Sequence, residues 1–249
     1  MSASIRRTFA VARRVLGQLR HDRRFVALTL MVPIAVIYVL YIFFDSLDNP
    51  FFSATPFVVP IGAFIIHFLT FVLTAIVLVR ERVTETLTRM LVNGFSQTEI
   101  ILGYLLAYST LATLQSLFVL TELNLLFDLN YSLATLASIY LIMWLLAVIS
   151  MALGIFVSNF AHNEGQVFPF IPLILLPSIF LSGMILSVDK LPEWAQALSR
   201  FTPLYYATQV LHGLVNGGKL LDDTTALLSL PLYGLAILAL ARLTLRESS

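Results

Sequence analysis

The stretch that decides the fold runs from Phe180 to Tyr206 and reads FLSGMILSVDKLPEWAQALSRFTPLYY. An apolar run ends there in the small-residue step Leu181-Ser182-Gly183 and is followed by a charged turn, Asp189-Lys190. The chain then re-enters a half-apolar segment that begins at Pro192 and closes at Pro203. This pattern predicts a membrane-spanning helix followed by one or two short helices that dip into the outer leaflet, within residues 188–224.

The whole chain has a composition far from that of soluble domains. It is 59% hydrophobic and 12% charged, with a mean hydropathy of +0.91. The apolar residues form blocks of about 20, the length that crosses a bilayer, and each block must be helical because hydrocarbon offers no partner for free backbone groups. The sequence therefore predicts an all-α polytopic membrane protein, a single domain over 1–249, with six transmembrane helices near 26–44, 55–79, 99–127, 134–158, 166–187 and 225–243.

The positive charges are distributed unevenly about these spans. Twelve of the 15 Lys and Arg residues fall before span one, between spans two and three, or around the end of span six, and only Lys190, Arg200 and Lys219 fall on the other side. This bias predicts that both termini are cytoplasmic in an inner (plasma) membrane. No basic cluster is interleaved with aromatic residues, which argues against nucleic-acid binding.

Residues 1–24 precede the first span and predict an amphipathic helix that does not cross the membrane. One face carries Phe9, Ala12, Val15, Leu16 and Leu19, Arg6, Arg13 and Arg20 run along its flank, and Arg7 and Arg14 lie opposite. This pattern favours an interfacial elbow helix whose arginines reach lipid phosphates. The alternative is a basic tail that only sets the topology.

Residues 80–98, between spans two and three, form the second informative stretch. A charged helix start leads into an amphipathic turn with Leu87, Met90 and Leu91, and a break is predicted at Asn93-Gly94. Ser96, with Glu99 three residues later, predicts a capping box for the next helix. Such a short projecting helix can seat in a groove of a partner protein; the alternative is a solvated loop with ordinary caps.

Both stretches resemble the permease subunits of ABC-2-type exporters, in layout most closely the short daunorubicin or drug-resistance permeases. The family's coupling-helix pattern, RErExGT..RLL..P.s...i..GK, is matched at Arg80, Glu81, Arg82, Thr86, Arg89, Leu91, Ser96, Ile100 and Gly103. The chain departs from it at Val83, Glu85, Met90, Gly94 and Tyr104, which replace a glutamate, a glycine, a leucine, a proline and a lysine.

The resemblance implies a permease of an ATP-driven exporter of hydrophobic, amphipathic or lipid-linked molecules. It further implies a second permease, identical or paralogous, and two ATPase subunits that would bind ATP and Mg²⁺. Contacts with the ATPase subunit are then expected at Arg80, Glu81, Arg82, Glu85, Thr86, Leu87, Arg89 and Leu91. An external gate motif is expected at Leu181, Ser182, Gly183, Pro192, Trp194 and Pro203.

Polar residues inside spans are candidates for the substrate path, because they are costly in hydrocarbon. His67 lies mid-way along span two, and Gln115 and Glu122 lie in span three. For His67 an interhelical hydrogen bond is favoured over a contact with substrate, and for Glu122 a structural carboxylate at the membrane rim is favoured. In span five, three prolines predict a bent or loosened helix: Pro169, Pro172 and Pro177.

The sequence contains no phosphate-binding loop of the form GxxxxGK[ST], no HExxH zinc motif and no GxSxG elbow. We therefore expect no enzyme activity, metal or cofactor of the chain's own, so that energy must come from a partner. The alternatives are a stand-alone secondary transporter or channel, which predicts broken helices in an inverted repeat or a line of membrane carboxylates, and a lipid-modifying membrane enzyme, which needs clustered polar residues at one interface.

Overall fold

The structure, a computed structural model, describes residues 3–46 and 54–247, with the side chains of 23–25 and 245–247 left out. The uneven charge distribution described above includes three arginines whose side chains are not described: Arg23, Arg24 and Arg246. The described residues form ten α-helices and no strand: α1 (Ala3–His21), α2 (Arg23–Asp45), α3 (Thr55–Val83), α4 (Thr86–Val92), α5 (Gln97–Phe127), α6 (Leu133–Ser158), α7 (Phe170–Leu181), α8 (Glu193–Ser199), α9 (Pro203–Val215) and α10 (Thr224–Glu247).

Six stretches of these helices are long and apolar enough to cross a membrane. They are Val26–Asp45, Thr55–Val83, Gln97–Phe127, Leu133–Ser158, Glu164–Leu181 and Thr224–Thr244. Each overlaps one predicted span, so the predicted class, an all-α membrane protein with six spans, is confirmed.

The bundle is built around the pair α3 and α6. Gly154 of α6 makes their close contact possible, because a Cβ at this position would lie 2.8 Å from the carbonyl oxygen of Phe71 and 3.1 Å from the backbone nitrogen of Ala75. α5 packs on the same pair, and α9 packs on α3, α6 and α10. By contrast, α2, α7 and α10 expose most of their apolar surface, which in a membrane faces lipid or another protein.

The fifth span ends earlier than the sequence predicts. α7 ends at Leu181 rather than continuing to residue 187. Gly183 takes a φ of +83°, and the Ser182 hydroxyl accepts a hydrogen bond from the Met184 N–H at 3.2 Å. The small-residue step therefore stops the helix, since glycine adopts this left-handed conformation without the steric cost that other residues meet.

The predicted bending of this span by three prolines is largely wrong. Pro169 is the N-cap of α7, and Pro172 lies in its first turn, where backbone N–H groups have no partner inside the helix and proline loses nothing. Only Pro177 lies in the helix interior.

The predicted short helices after the fifth span are present. A 3₁₀ turn, Val188–Lys190, leads to α8 and then to α9. α8 leaves Trp194 68% exposed, whereas α9 buries Leu204, Ala207 and Leu211 against the bundle. α9 is therefore part of the core rather than a loosely attached surface helix.

Candidate functional site

The site centres on α4, the short helix between α3 and α5. α3 ends at Val83, and Glu85 turns the chain into α4 with a φ of 58°. This left-handed conformation costs a residue with a side chain about 1–2 kcal/mol. Glu85 stands where the family pattern has glycine, the residue that adopts this conformation most easily.

α4 ends in a Schellman turn at the predicted break. The N–H of Gly94 donates to the carbonyl of Leu91 at 2.9 Å, and the N–H of Phe95 donates to the carbonyl of Met90 at 3.1 Å. Gly94 has a φ of +82°. The proline of the family pattern could neither adopt this φ nor donate this hydrogen bond, so this chain ends α4 by a route of its own.

α5 then begins with the predicted capping box. The N–H of Glu99 donates to the Ser96 hydroxyl at 3.3 Å, and the N–H of Ser96 donates to the Glu99 carboxylate at 2.8 Å. This prediction is confirmed. The two rigid turns fix the direction in which α4 leaves the bundle.

The two faces of α4 have opposite characters. Leu87 is buried, and Met90 and Leu91 pack against the core. The opposite face is exposed and combines charges with an apolar residue: Glu85, Thr88, Arg89 and Val92. Of the predicted contact residues in α4 and its N-cap, Glu85 and Arg89 therefore face outward, Thr86 is half-buried, and Leu87 and Leu91 anchor the helix.

Arg80 and Arg82, also predicted to contact a partner, form contacts within the chain. Arg80 makes a bidentate pair with Glu164, with distances of 2.8 Å from Nε to Oε1 and 3.2 Å from Nη2 to Oε2. Arg82 donates to the Asn159 side chain at 2.7 Å and to the carbonyl oxygen of Ser158. Both arginines thus tie the end of α3 to the turn between α6 and α7.

Glu81 is also engaged inside the protein. It is 6% exposed and accepts a hydrogen bond from Arg14 of α1 at 3.1 Å. Arg14 donates a second bond to the Tyr104 hydroxyl at 2.5 Å. A buried carboxylate needs such a countercharge, because desolvation without one is costly. The trio joins α1, α3 and α5.

α1 also contacts the turn at the end of α4 directly, and we call this turn, at Gly94 and Phe95, the α4 turn. Arg7 donates to the Gly94 carbonyl oxygen at 2.6 Å, and its guanidinium lies 4.0 Å from the Glu99 carboxylate and 5.9 Å from the Phe95 ring centre. α1, predicted as an elbow helix, is therefore hydrogen-bonded to the segment predicted as a coupling helix.

Gly103 allows α1 to approach α5. A Cβ at this position would lie 2.6 Å from the Val11 side chain and 3.0 Å from the Thr8 carbonyl oxygen. The buried face of α1 contains Thr8, Val11, Ala12, Val15 and Leu19. Phe9 and Leu16, predicted on that face, are 56% and 37% exposed.

Sequence reasoning missed Arg7, Arg14 and Tyr104 as parts of this site. Two signals pointed to them. The basic pairs of α1 recur every seven residues, so Arg7 and Arg14 lie on one side of the helix, away from Arg6 and Arg13. Tyr104 stands where the family pattern has lysine, and it accepts a hydrogen bond from Arg14.

A small cavity of about 30 Å³ lies behind α4. Its walls include Leu87 and Leu91 of α4, Ile100 and Tyr104 of α5, and Ile155 of α6. α4 is therefore seated on the bundle with a gap beneath it.

The candidate substrate-path residues His67 and Gln115 are placed in the bundle interior. His67 Nδ1 lies 2.7 Å from the Ser150 hydroxyl, and Gln115 Oε1 accepts a hydrogen bond from the Thr70 hydroxyl at 3.2 Å. His67 is fully buried, and its Nε2 has no hydrogen-bond partner among the described residues. The interhelical hydrogen bond considered for His67 is present.

Glu122 lies apart from these two residues, near the end of α5. It lines a groove of about 290 Å³ with Ile34 and Tyr38 of α2 and Phe118 and Leu125 of α5. The three candidates therefore do not form one site: two belong to the core and one faces the bundle surface.

The predicted gate motif is likewise divided among elements. Leu181 and Ser182 end α7, Pro192 is the N-cap of α8, and Pro203 opens α9. A cavity of about 310 Å³ separates α7 from α9 and α10, and Leu181 and Pro203 line it. The cavity extends along α7 from Leu173 to Leu181 and is also lined by Leu153 of α6.

Comparison with known proteins gives a consistent set of relatives. The ABC-2 type transporter family matches residues 6–215. The chain is 26% identical over 163 residues to the probable multidrug ABC transporter permease YbhR of Escherichia coli K12, covering 65% of this chain and 44% of that protein. It is 27% identical over 177 residues to the probable multidrug permease YbhS of the same organism, covering 69% and 46%.

A third relative is the linearmycin resistance permease protein LnrN of Bacillus subtilis, 24% identical over 136 residues, which cover 55% of this chain and 35% of the relative. The chain spans less than half the length of the curated relatives it matches. The family match extends from α1 to the end of α9 and includes α4 and the small-residue step Leu181-Ser182-Gly183. The chain therefore belongs to the ABC-2 type transporter family.

Proposed function

We propose that this chain is the membrane-spanning permease subunit of an ATP-driven ABC exporter and that α4 is its contact with a separate ATPase subunit. One observation carries the proposal: α4 presents Glu85, Arg89 and Val92 outward, while its inner face and its two turns are fixed to α1, α3 and α5. A helix exposed in this way can receive a partner, and a helix anchored in this way can transmit the partner's movement.

The charge pattern supports the proposed orientation. The α4 end carries the arginine-rich segments. We therefore place this end and both termini in the cytoplasm, with the chain in the inner (plasma) membrane. ATP and Mg²⁺ would be bound by the partner, since the sequence lacks a phosphate-binding loop.

The relatives' names support an amphipathic or hydrophobic substrate. YbhR and YbhS are named as multidrug permeases and LnrN as a linearmycin resistance permease. We propose the same broad class here, moved through a pathway formed with a second permease copy or paralogue. In this scheme, closure of the ATPase subunits pushes on α4 and α1, and the region around α7 and the cavity beside it opens to release the substrate.

The test is co-purification of the tagged chain from its native membrane in a mild detergent, with two matched variants. Val92 and Leu133 are 82% and 83% exposed and lie at opposite ends of the bundle. Val92→Asp should reduce recovery of a phosphate-loop ATPase subunit by about tenfold or more, as expected for the loss of a central interface residue. Leu133→Asp should leave recovery unchanged.

Two results would decide against parts of the proposal. Recovery of the wild-type chain alone would favour the stand-alone transporter. Equal losses for the two variants would remove α4 from the interface. Glu81→Lys is the wrong variant for this test, because Glu81 is buried and its change would damage the fold itself.

A further inference from the structure

The basic residues of α1 come in pairs seven residues apart: Arg6-Arg7, Arg13-Arg14 and Arg20-His21. Seven residues make almost two full helical turns, so corresponding members of the pairs share one side of the helix. Neighbours within a pair point about 100° apart. α1 therefore carries an outer row, defined as Arg6, Arg13 and Arg20, and an inner row, defined as Arg7 and Arg14.

The two rows differ in their contacts. The inner row binds the Gly94 carbonyl, Glu81 and Tyr104, as described above. All three outer-row arginines are exposed, and none has an ion pair or hydrogen bond to another side chain or backbone group in the parts of the chain that the structure describes. The outer row is thus free to bind an anion from outside the protein.

An apolar row lies directly beside the outer row. Ile5, Phe9 and Leu16 are 44%, 56% and 37% exposed, and they lie between the outer row and the buried face of α1. Exposed apolar residues flanked by arginines are the pattern of a helix that lies in the boundary between acyl chains and headgroups. Only Asp22 separates the end of α1 from α2, which contains the first span, so the C-terminal end of α1 lies close to the membrane surface.

From this arrangement we propose that the outer row of α1 binds the phosphate headgroups of anionic phospholipid, and that this lipid fixes the position of the α4 turn through the inner row. The apolar row would insert among the acyl chains, and each arginine near an anionic surface adds a favourable electrostatic contribution. The second part of this proposal, that the lipid fixes the α4 turn, is its regulatory half and rests on the proposed function. The first part, lipid binding by the outer row, is its lipid-binding half and depends only on this chain.

Lipid binding can be measured on the chain alone. Since it contains no cysteine, Phe9→Cys gives a single attachment point for a bimane fluorophore within the apolar row. The labelled chain is placed in vesicles of four parts phosphatidylcholine and one part phosphatidylglycerol, with either lipid brominated as a quencher. Quenching by the brominated phosphatidylglycerol measures how much of this lipid lies beside α1. We expect it to be enriched there about fivefold over the bulk. This is the effect of roughly one arginine interacting with an anionic surface.

Three variants test whether the outer row causes this preference. Arg6→Gln, Arg13→Gln and Arg20→Gln together should abolish it, while Lys at the same three positions should retain it and show that the fold tolerates change there. Arg89→Gln with Arg242→Gln removes two exposed charges at the same end of the bundle but outside α1, and should leave the preference unchanged. No enrichment around the unmodified arginines, or equal enrichment around the Gln triple variant, would overturn the lipid-binding proposal.

The regulatory half is tested with the whole transporter complex in bilayer discs with and without 20% phosphatidylglycerol. The basal ATPase activity should rise several-fold with the anionic lipid, and the Gln triple variant should not respond. A lipid preference on the isolated chain without an activity response would overturn the regulatory half alone. If the chain purifies without an ATPase subunit, the proposed function fails while the fluorescence result stands.

Discussion

At the α4 end of the bundle, arginines tie four helices together. Arg14 pairs with Glu81, Arg80 with Glu164, and Arg82 with Asn159. Around α7, by contrast, a cavity of about 310 Å³ separates this helix from α9 and α10, and the contact across to α10 includes one hydrogen bond, from the Tyr233 hydroxyl to the Phe201 carbonyl at 2.9 Å. Directional polar contacts hold the first region, and looser apolar packing surrounds α7.

This difference has a physical consequence. Charge-assisted hydrogen bonds fix geometry closely, so the α4 end moves as a unit. Apolar surfaces with a cavity between them can rearrange without leaving polar groups unpaired. We therefore expect substitutions of the polar contacts at the α4 end to change stability strongly and those of the residues that line the cavity beside α7 to change it weakly.

The largest effect is expected at the buried carboxylate. Arg14→Met leaves Glu81 without its countercharge and should lower the free energy of unfolding by about 2–4 kcal/mol. That corresponds to a fall of about 5–10 °C in the melting temperature of the detergent-solubilised chain.

The control is the neighbouring exposed residue, and Arg13→Met should change the melting temperature little. Adding Glu81→Gln to Arg14→Met should recover part of the loss, because the unpaired charge is removed. Equal effects at residues 13 and 14 would contradict the proposed role of the pair.

A smaller loss is expected at the contact between α1 and α5. Gly103→Ala places a methyl group 2.6 Å from Val11 and should cost about 1–3 kcal/mol through overpacking. Gly17→Ala is the matched change on α1, where nothing lies within 4 Å, and it should be neutral or stabilising. Thermal unfolding of the two variants measures the difference, and loss of stability for both would show that α1 is packed differently.

A gain is expected at the turn into α4. Glu85→Gly relieves the cost of the left-handed conformation, which exceeds the entropic cost of glycine, and should stabilise the chain by about 0.5–1 kcal/mol. Thr88→Gly within α4 should instead destabilise by about 0.3–0.5 kcal/mol. Melting temperatures that move in the same direction for both variants would rule out this account of the turn.

The smallest effect concerns the α9 end and depends on pH. Burial lowers the pKa of His212 below its ordinary value, although a hydrogen bond to the Pro56 backbone opposes the shift. The folded state therefore favours neutral His212, and its contribution to stability is complete above about pH 6.5 and is lost as the pH falls from there through the lowered folded pKa.

His212→Gln should thus reduce the drop in melting temperature between pH 7.5 and pH 5.5, by the equivalent of less than about 1 kcal/mol. His162→Gln, at an exposed histidine of the α4 end, should leave that drop unchanged. A drop that is the same in the wild type and the His212 variant would contradict the assignment.

The sequence was sufficient to predict features that depend on local rules. The six spans follow from apolar length, the Ser96–Glu99 capping box from spacing, and the stop at Gly94 from glycine's conformational freedom. Contacts between distant residues were not predictable in this way. Glu81 and Arg14 lie 67 positions apart, and only the packing of α1 on α5 brings them together.

Two errors came from applying a sound rule in the wrong context. Proline bends a helix interior, but Pro169 and Pro172 occupy its beginning, where the same residue is favourable. Amphipathicity placed Phe9 and Leu16 on the face of α1 that includes Val15, yet α1 has two apolar surfaces. One packs on α5 and the other stays exposed, and a single helical wheel does not separate them.

The close contact at Gly154 gives α3 the geometry of a lever with unequal arms. α3 continues for roughly ten residues, or about 15 Å, from this contact to the α4 end, and for roughly 18 residues, or about 27 Å, to its start at Thr55. When α3 tilts as a rigid rod about that point, a displacement at the α4 end appears at the other end in the opposite direction and nearly doubled. Under the proposed function, a small push by a partner on α4 would then give a larger displacement at the opposite end of α3.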